Sequence, residues 1–584
     1  MNLTEETLNP AGDVMAASPD RATWAPPRWA LGARAAVLWG LAVLGFLLLS
    51  YRPLDPSGLM AHLSYGGWLL DHRALPAADP ILPLAEGMPI LDGSWLAQGL
   101  LAAVERAGDG VAGNAGAGWL AALFAALRLT TAALLLNAFR RVSGSWLWGA
   151  LGLGLVLALA GGAGGPWTSL GPATFGALSM AVLLHRIVSL DAADRPEGAA
   201  RLAAEAAGWV ALFALWANLH ASFALGLAIV GLGAAGKGLE AVIHDRERRE
   251  RREHRVSAWR SLAADRPFRR WLWFAELAAA ATLINPYGIE LWLDVWRLRS
   301  NPNLSGLPGW RPLSVETAGG WAFALAIAAL LWAFRGTSRS RPLPWAEILW
   351  GAGLGGAALA ASGLLALCAP LFALILIPHL AGRANDLWTR NSNGREEKPG
   401  PVGRLAARAR ESLGFLAEPS WHKSVLALAF LWAAFALSPI GVALLRGEAR
   451  APKRTIAASV PFALAAHLAA HPPQGLTFVP IAWADWLVYQ GPKGTDRLRP
   501  FADTQVDALP AEVWQDYLRI AGGASDWQRV LDRYGVRTAI FDREAQHGQI
   551  QSLRYADDWR IAYEDDRSFV FERTAPTSTP GGKS

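Results

Sequence analysis

Charge is scarce in this chain and cysteine is nearly absent. Only 17% of the 584 residues are charged, and Cys368 is the single cysteine. A soluble domain carries roughly 25% charged residues, so the shortage excludes a disordered chain and argues against an ordinary soluble enzyme. One cysteine excludes an intramolecular disulfide and says nothing about compartment. The sequence also holds no phosphate loop, HExxH, CxxC or GxSxG motif, which removes the nucleotide, zinc and hydrolase chemistries those motifs carry. No apolar block contains the several charges typical of an ion or proton path, which counts against a pump or secondary transporter. No repeat of fixed period supports a solenoid or an inverted-repeat transporter.

What is abundant is apolar sequence: 53% of residues are hydrophobic and mean hydropathy is +0.22. These residues gather in blocks near the ~20 residues that cross a bilayer core. Eleven spans are expected, at 29–50, 117–138, 145–163, 169–189, 203–218, 220–243, 270–284, 319–335, 345–361, 363–381 and 422–445. The first lacks a small-residue exit before Tyr51 and reads as an uncleaved anchor. The predicted fold class is mainly α: a polytopic transmembrane helix bundle with a C-terminal extracytoplasmic α/β domain.

The net charge of +6 is better explained by topology than by nucleic acid, because Lys and Arg cluster between apolar blocks and basic loops stay cytoplasmic. The segment from His244 to Arg270 carries ten arginines, and Arg383 to Lys423 carries eight basic residues. Both fall on one side if the spans are right, together with the turns at Arg140, Arg141 and at Arg335, Arg339, Arg341. The N-terminal tail, 1–28, is then cytoplasmic. The opposite side holds an acidic loop, 51–116, and a region from 446 to 575 whose composition is that of an α/β unit, followed by a disordered tail, 576–584.

Within that region Leu476 to Ile481, Thr538 to Phe541, Arg560 to Tyr563 and Phe569 to Phe571 read as strands, and Ala511 to Ile520 and Trp527 to Tyr534 as helices. Asp565-Asp566-Arg567 reads as the turn joining the last two strands. Asn391 to Gly403 reads as a flexible linker.

Three clusters could carry chemistry. The long loop opens with Asp55-Pro56-Ser57, continues through His62, Tyr65, Gly67 and Trp68, and reaches Asp79-Pro80 and then Asp92, Trp95 and Gln98. A carboxylate just after the first span could act as a general base or bind a divalent cation; Asp-Pro pairs more often initiate turns, with His62 and Trp68 then lining an interfacial helix. The second cluster, Trp216 to Ser222, places Asn218 and His220 where two apolar segments meet. Polar groups there either serve a site or cap the next helix. The third, Asn285-Pro286-Tyr287-Gly288, is followed by Arg297, Arg299 and Arg311. Helix termination and an aromatic belt explain its prolines and tryptophans, while arginines on the non-cytoplasmic side suit a lipid-linked phosphate.

In this order, these clusters resemble bacterial multi-span proteins of the GT-C glycosyltransferase type over roughly residues 30 to 575. The matching elements include Asp55-Pro56 with His62 and Gly67, Asp79-Pro80, Trp95 to Gln98, Trp216 to Ser222, Asn285 to Gly288 and Trp310. In the tail they include Trp483-x-Asp485-Trp486-Leu487, Asp503, Trp514-x-Asp516-Tyr517 and Asp532 to Val536. The resemblance implies an extracytoplasmic site with a polyprenyl-phosphate-linked sugar as donor, a glycan or protein as acceptor, and inversion at the anomeric carbon. It implies Asp55 as base or ligand of Mg or Mn, Asp79 as the second candidate, and His62 and His220 lining the acceptor or phosphate region. The chain departs from the group's pattern at Ser57, where an acid is expected, at Gly171, where an arginine precedes the proline, and near Cys368, where another basic residue is expected. The alternatives are a non-catalytic membrane scaffold or glycan-binding envelope protein, whose segment from Arg454 to Thr574 would fold alone, and a lipid or glycan transporter.

Overall fold

The computed structural model describes residues 32–574 apart from 87, 89, 161–166, 192–197, 251–261, 336–343, 393–419 and 493–496. The N-terminal tail, the linker through Gly403, Arg339, Arg341, the arginines from Arg246 to Arg260 and the C-terminal tail fall outside what is described, in whole or in their side chains. The chain divides into two compact units, residues 1–44 with 397–434, and residues 45–396 with 435–584.

Each expected span contains a helix. In order these are α1 (Ala33–Ser50), then, after two helices of the long loop, α2 (Leu59–His72) and α3 (Trp95–Val111), the run α4 (Gly116–Ser143), α5 (Trp146–Ala160), α6 (Pro172–Asp191), α7 (Ala199–Leu219), α8 (Phe223–Glu250) and α9 (Arg266–Thr282). A short α10 (Glu290–Leu298) precedes α11 (Ala318–Phe334), α12 (Trp345–Ala360), α13 (Gly363–Ser392), α14 (Trp421–Leu437) and α15 (Pro439–Arg446). Five of them, within α4, α6, α7, α8 and α13, are long and apolar enough to cross a membrane, and α14 with α15 would make a sixth. The last expected span is thus interrupted. Ser438 accepts the Gly441 N–H at 3.1 Å and Pro439 follows it, which starts a new helix instead of continuing the old one. The same capping chemistry starts α9, where Asp265 accepts the Phe268 N–H at 2.8 Å, and α11, where Thr317 accepts the Gly320 N–H at 3.1 Å.

The tail is α/β as expected. Its sheet has the order β2-β1-β3-β5-β4, with β1 (Leu476–Phe478), β2 (Arg499–Pro500), β3 (Thr538–Asp542), β4 (Trp559–Glu564) and β5 (Ser568–Arg573). β1 runs parallel to β2 and β3, while β5 is antiparallel to both β3 and β4. The β4–β5 turn forms as anticipated: the Asp565 carboxylate accepts from the Arg567 N–H at 2.9 Å and the Ser568 N–H at 2.7 Å. The expected first strand stops at Phe478, because Pro480 begins the helix α17 (Ile481–Gln490), preceded by α16 (Phe462–Ala470). α18 (Ala511–Ala521) and α19 (Trp527–Arg533) match the expected helices, and α20 (His547–Arg554) is additional.

One core runs through the long helices, with Trp209 stacked on Phe274 at 4.8 Å. A second joins the long loop to the tail, burying Leu59, Leu63 and Leu101 with Trp483, Leu487 and Val570. The two chain segments are also stitched by backbone bonds from Leu54 N to Thr455 O (2.8 Å) and from Ala457 N to Leu54 O (2.9 Å).

Candidate functional site

The long loop contributes to the site through one helix pair. α2 and α3 approach so closely at Gly66 that a β-carbon there would stand 2.2 Å from the Gln98 carbonyl oxygen. Only glycine allows this, because any side chain would fill the space the neighbouring backbone occupies. One turn before Gly66 on α2 lies His62, and the approach sets its Nδ1 at 3.4 Å from Gln98 Nε2. The same amide nitrogen donates to Asp92 Oδ1 at 3.2 Å. Gln98 is 4% exposed, and its Oε1 is buried without a hydrogen-bond partner.

Asp92 is fixed from both sides. Its Oδ1 accepts the Ser94 N–H at 3.0 Å, and its own N–H donates to the Tyr287 hydroxyl at 3.2 Å. Burial pushes its carboxyl up to about 6, the charges of Asp507 and Asp79 add to this, and the Ser94 N–H opposes it. His62 moves the other way. Burial pulls its imidazole down to about 4, and the nearby His220 contributes in the same direction. His62 is therefore neutral near pH 7. With Gln98 Nε2 using one proton on each acceptor, His62 Nδ1 accepts and Nε2 carries the proton. That Nε2 lies toward Gly171, whose β-carbon position is 3.9 Å away.

The turn after α7 lies beside this helix pair, close enough for His220 to act on His62. His220 Nδ1 accepts the Ser222 N–H at 3.1 Å and lies 2.8 Å from Ser222 Oγ, which donates to it and accepts from Trp216 Nε1 at 2.9 Å. A β-carbon on Gly176 of α6 would be 2.5 Å from Ser222 Oγ and 2.9 Å from His220 Nδ1, so a glycine is required for α6 to pass beside this turn. Asn218 ties the turn to its surroundings: its Oδ1 accepts from Trp95 Nε1 at 2.9 Å, and its amide donates to Ile284 O at 2.7 Å. The start of α6, the end of α7 and the end of α9 therefore meet the long loop around His62, Asp92, Asn218 and His220.

The remaining expected residues are placed differently. Asp55, half-buried, accepts the Ser57 N–H at 3.0 Å in the turn that leads into α2. Asp79 is fully engaged: Oδ1 accepts from Ile81 N and Leu82 N, each at 2.8 Å, and Oδ2 accepts from Tyr65 Oη at 2.5 Å. Arg297 is exposed at the end of α10, near Asp294. Arg311 is exposed after the short helix Pro308–Trp310, its carbonyl held by Ser362 N at 2.9 Å. Neither arginine makes a described contact with His62, Asp92 or His220. Among the described residues no group of three or more His, Cys, Asp or Glu side chains is placed to hold a metal ion. Asp55 supplies one carboxylate and not a donor set.

Two features went beyond the sequence candidates. Asp92 and Gln98 were visible as polar positions, yet only the contact at Gly66 couples them to His62. The tail adds buried carboxyls. Asp485 accepts from Thr504 Oγ1 at 2.7 Å and from the Gly58 N–H, and burial pushes it up to about 6. Asp503 is pushed well above the carboxylate range by burial and then by the charge of Asp485, with Asp79 contributing. The signal in sequence was the Trp483-x-Asp485-Trp486 pattern, an acid set among residues that pack a core.

No protein-family model matches the sequence, and no curated protein matches it. Among solved structures the chain is similar to the oligosaccharyltransferase AglB from Archaeoglobus fulgidus in complex with an inhibitory peptide and a dolichol-phosphate. That likeness has 13% identity and a TM-score of 0.49, and covers 87% of this chain and 69% of that one. An Archaeoglobus fulgidus oligosaccharyltransferase in complex with Zn and sulfate is similar at 14% identity and a TM-score of 0.47, with 92% and 73% covered. ArnT from Cupriavidus metallidurans in the apo state is similar at 15% identity and a TM-score of 0.41, with 94% and 98% covered. AglB and ArnT are both GT-C glycosyltransferases.

Proposed function

We propose that this chain is a glycosyltransferase-like integral membrane protein that transfers a sugar from a polyprenyl-phosphate-linked donor to a glycan or protein acceptor on the extracytoplasmic face. The observation that carries this reading is the meeting of the Asp92–Gln98–His62 chain with the Asn218–Ser222 turn at the ends of apolar helices. In this reading the eleven helical segments span the cell (inner) membrane. The basic loops lie in the cytoplasm with the N-terminus, and the α/β region lies outside.

Asp55, whose second oxygen makes no described bond, takes the proton from the acceptor hydroxyl. The new bond to the anomeric carbon forms as the bond to the donor phosphate breaks, with inversion, and polyprenyl phosphate leaves. His62 donates its Nε2–H to an oxygen of the reacting groups, and His220 lines the same space. Arg297 and Arg311, exposed on that side, meet the phosphate or the lipid surface. Asp79 holds the loop and performs no proton transfer. No step is assigned to Mg or Mn at Asp55, since a single carboxylate falls short of the several oxygen ligands these ions take.

The test is transfer of labelled sugar from a polyprenyl-phosphate donor by the full chain in nanodiscs. Asp55→Asn is expected to lower the rate at least about 100-fold, the size of a general-base contribution. Transfer at the native rate would remove Asp55 from the mechanism.

A further inference from the structure

A cleft of about 460 Å³ lies between α2, α3 and the tail, within the range of ~300–1,000 Å³ for small-molecule sites. On α2 it is lined by Ser64, Trp68 and Asp71. At ~100° per residue these fall roughly 180–240° around the helix from His62. The cleft therefore opens on the opposite face of α2 from the candidate site. Its floor is aromatic: the Trp68 indole stacks on His72 at 4.1 Å and 15°.

The polar groups around this platform form pairs. Arg106 bonds Asp71 at 2.8 Å, and Tyr489 Oη donates to Glu105 Oε1 at 2.5 Å. Asp109 accepts the Gly116 N–H at 2.8 Å. Three carboxylates thus face two guanidinium groups, Arg106 and Arg497, a balance that disfavours an anion such as phosphate. Carboxylates and a guanidinium side by side offer acceptors next to donors, which suits a ligand rich in hydroxyls.

The geometry points to a saccharide-binding cleft: an uncharged sugar whose apolar C–H face covers Trp68 while its hydroxyls reach the Asp71–Arg106 pair and the guanidinium of Arg497. An indole gives a large, rigid apolar surface with a polar edge. Side chains already paired as ions accept and donate to hydroxyls without carrying an uncompensated charge into the complex. The assignment rests on the cleft alone and holds whether or not Asp55 performs chemistry.

The experiment uses the full chain in nanodiscs, free of sugar-headed detergents that would occupy the cleft, and saturation-transfer NMR with titration of mannotriose, chitotriose and maltotriose. At least one is expected to bind with a Kd on the order of 1 mM. Trp68→Ala should weaken it about 10-fold or more, and Trp68→Phe should recover most of the loss. Asp71→Ala, at an exposed position where folding is not at stake, should weaken it about 5-fold, on the scale of one ordinary hydrogen bond. Asp55→Asn should leave binding unchanged, so that loss of transfer and loss of sugar binding are read separately. Absence of binding for all three sugars, native affinity in folded Trp68→Ala and Asp71→Ala, or displacement of bound sugar by inorganic phosphate would overturn the assignment.

Discussion

Asp92 and His62 are joined through one side-chain amide: Gln98 Nε2 stands 3.2 Å from the Asp92 carboxylate and 3.4 Å from His62 Nδ1. The amide has two protons and two acceptors, so it fixes the imidazole with its proton on Nε2. Gln98→Leu keeps the helix contact and removes both bonds. Transfer should fall by about 10- to 100-fold, the range for a misoriented acid-base group. The pH dependence of kcat/KM should change as well, since His62 and Asp92 then titrate without their link. An unchanged rate and pH profile would show that the chain of bonds only supports the fold.

Tyr65 and Asp79 make a purely internal pair. Tyr65→Phe removes the donor and leaves Asp79 Oδ2 without its partner beside a buried helix. An orphaned buried acceptor costs about 1–3 kcal/mol, so the variant should melt measurably lower in nanodiscs. Thermal unfolding at native temperature would mean that water replaces the hydroxyl at no cost.

Asp485 offers a pH test with a definite sign. Folding raises its carboxyl to about 6, so the protonated form favours the fold. Its contribution is complete below about pH 4, the unfolded value, and is lost as pH rises through about 6. Asn imitates the protonated acid. Asp485→Asn should therefore melt higher than the native chain at pH 8 and no higher near pH 4. An advantage of equal size at both pH values would sink this account.

The helices were legible because apolar runs of span length have few other uses, and the structure finds a helix at each of them. Four of the five sheet strands were legible from β-branched and aromatic runs, while β2, the pair Arg499–Pro500, carries no such run and was not. The strand starting at Leu476 ran too far on paper, because Ile481 continues the apolar pattern while Pro480 ends the extended backbone. Asn218 and His220 stood out as polar residues where two apolar segments meet, and His62 as part of the polar cluster of the long loop. The Asp92–Gln98–His62 link was not, since it depends on how close two helices come at Gly66 and no spacing along the chain encodes that distance. Asp79 reads like Asp55 in sequence, each an Asp before Pro, and only the Tyr65 hydroxyl and two backbone N–H groups separate their roles.

Gly66 sets that distance. In Gly66→Ala the new methyl would lie 2.2 Å from the Gln98 carbonyl oxygen, which belongs to a helix backbone and cannot swing away. α2 and α3 must part. Overpacking of this kind costs about 1–3 kcal/mol, and the His62–Gln98 contact should open with it. The expected result is a lower melting temperature together with reduced transfer. Native stability in this variant would mean the helices are less tightly held than their contact implies.

The last prediction concerns where the tail ends as a folding unit. Trp483, Leu487 and Val570 pack in the same core as Leu59, Leu63 and Leu101 of the long loop, and Leu54 bonds the backbone at Thr455 and Ala457. Cut out as residues 454–574, the tail would expose that apolar face to water. The fragment is expected to aggregate or to bind hydrophobic dye, and to become soluble when residues 51–116 are expressed with it. A monodisperse, dye-free fragment with the sheet intact would mean the tail is an independent domain that merely rests on the loop. The glycan-binding scaffold reading, which needs only that domain, would then gain over the enzymatic one.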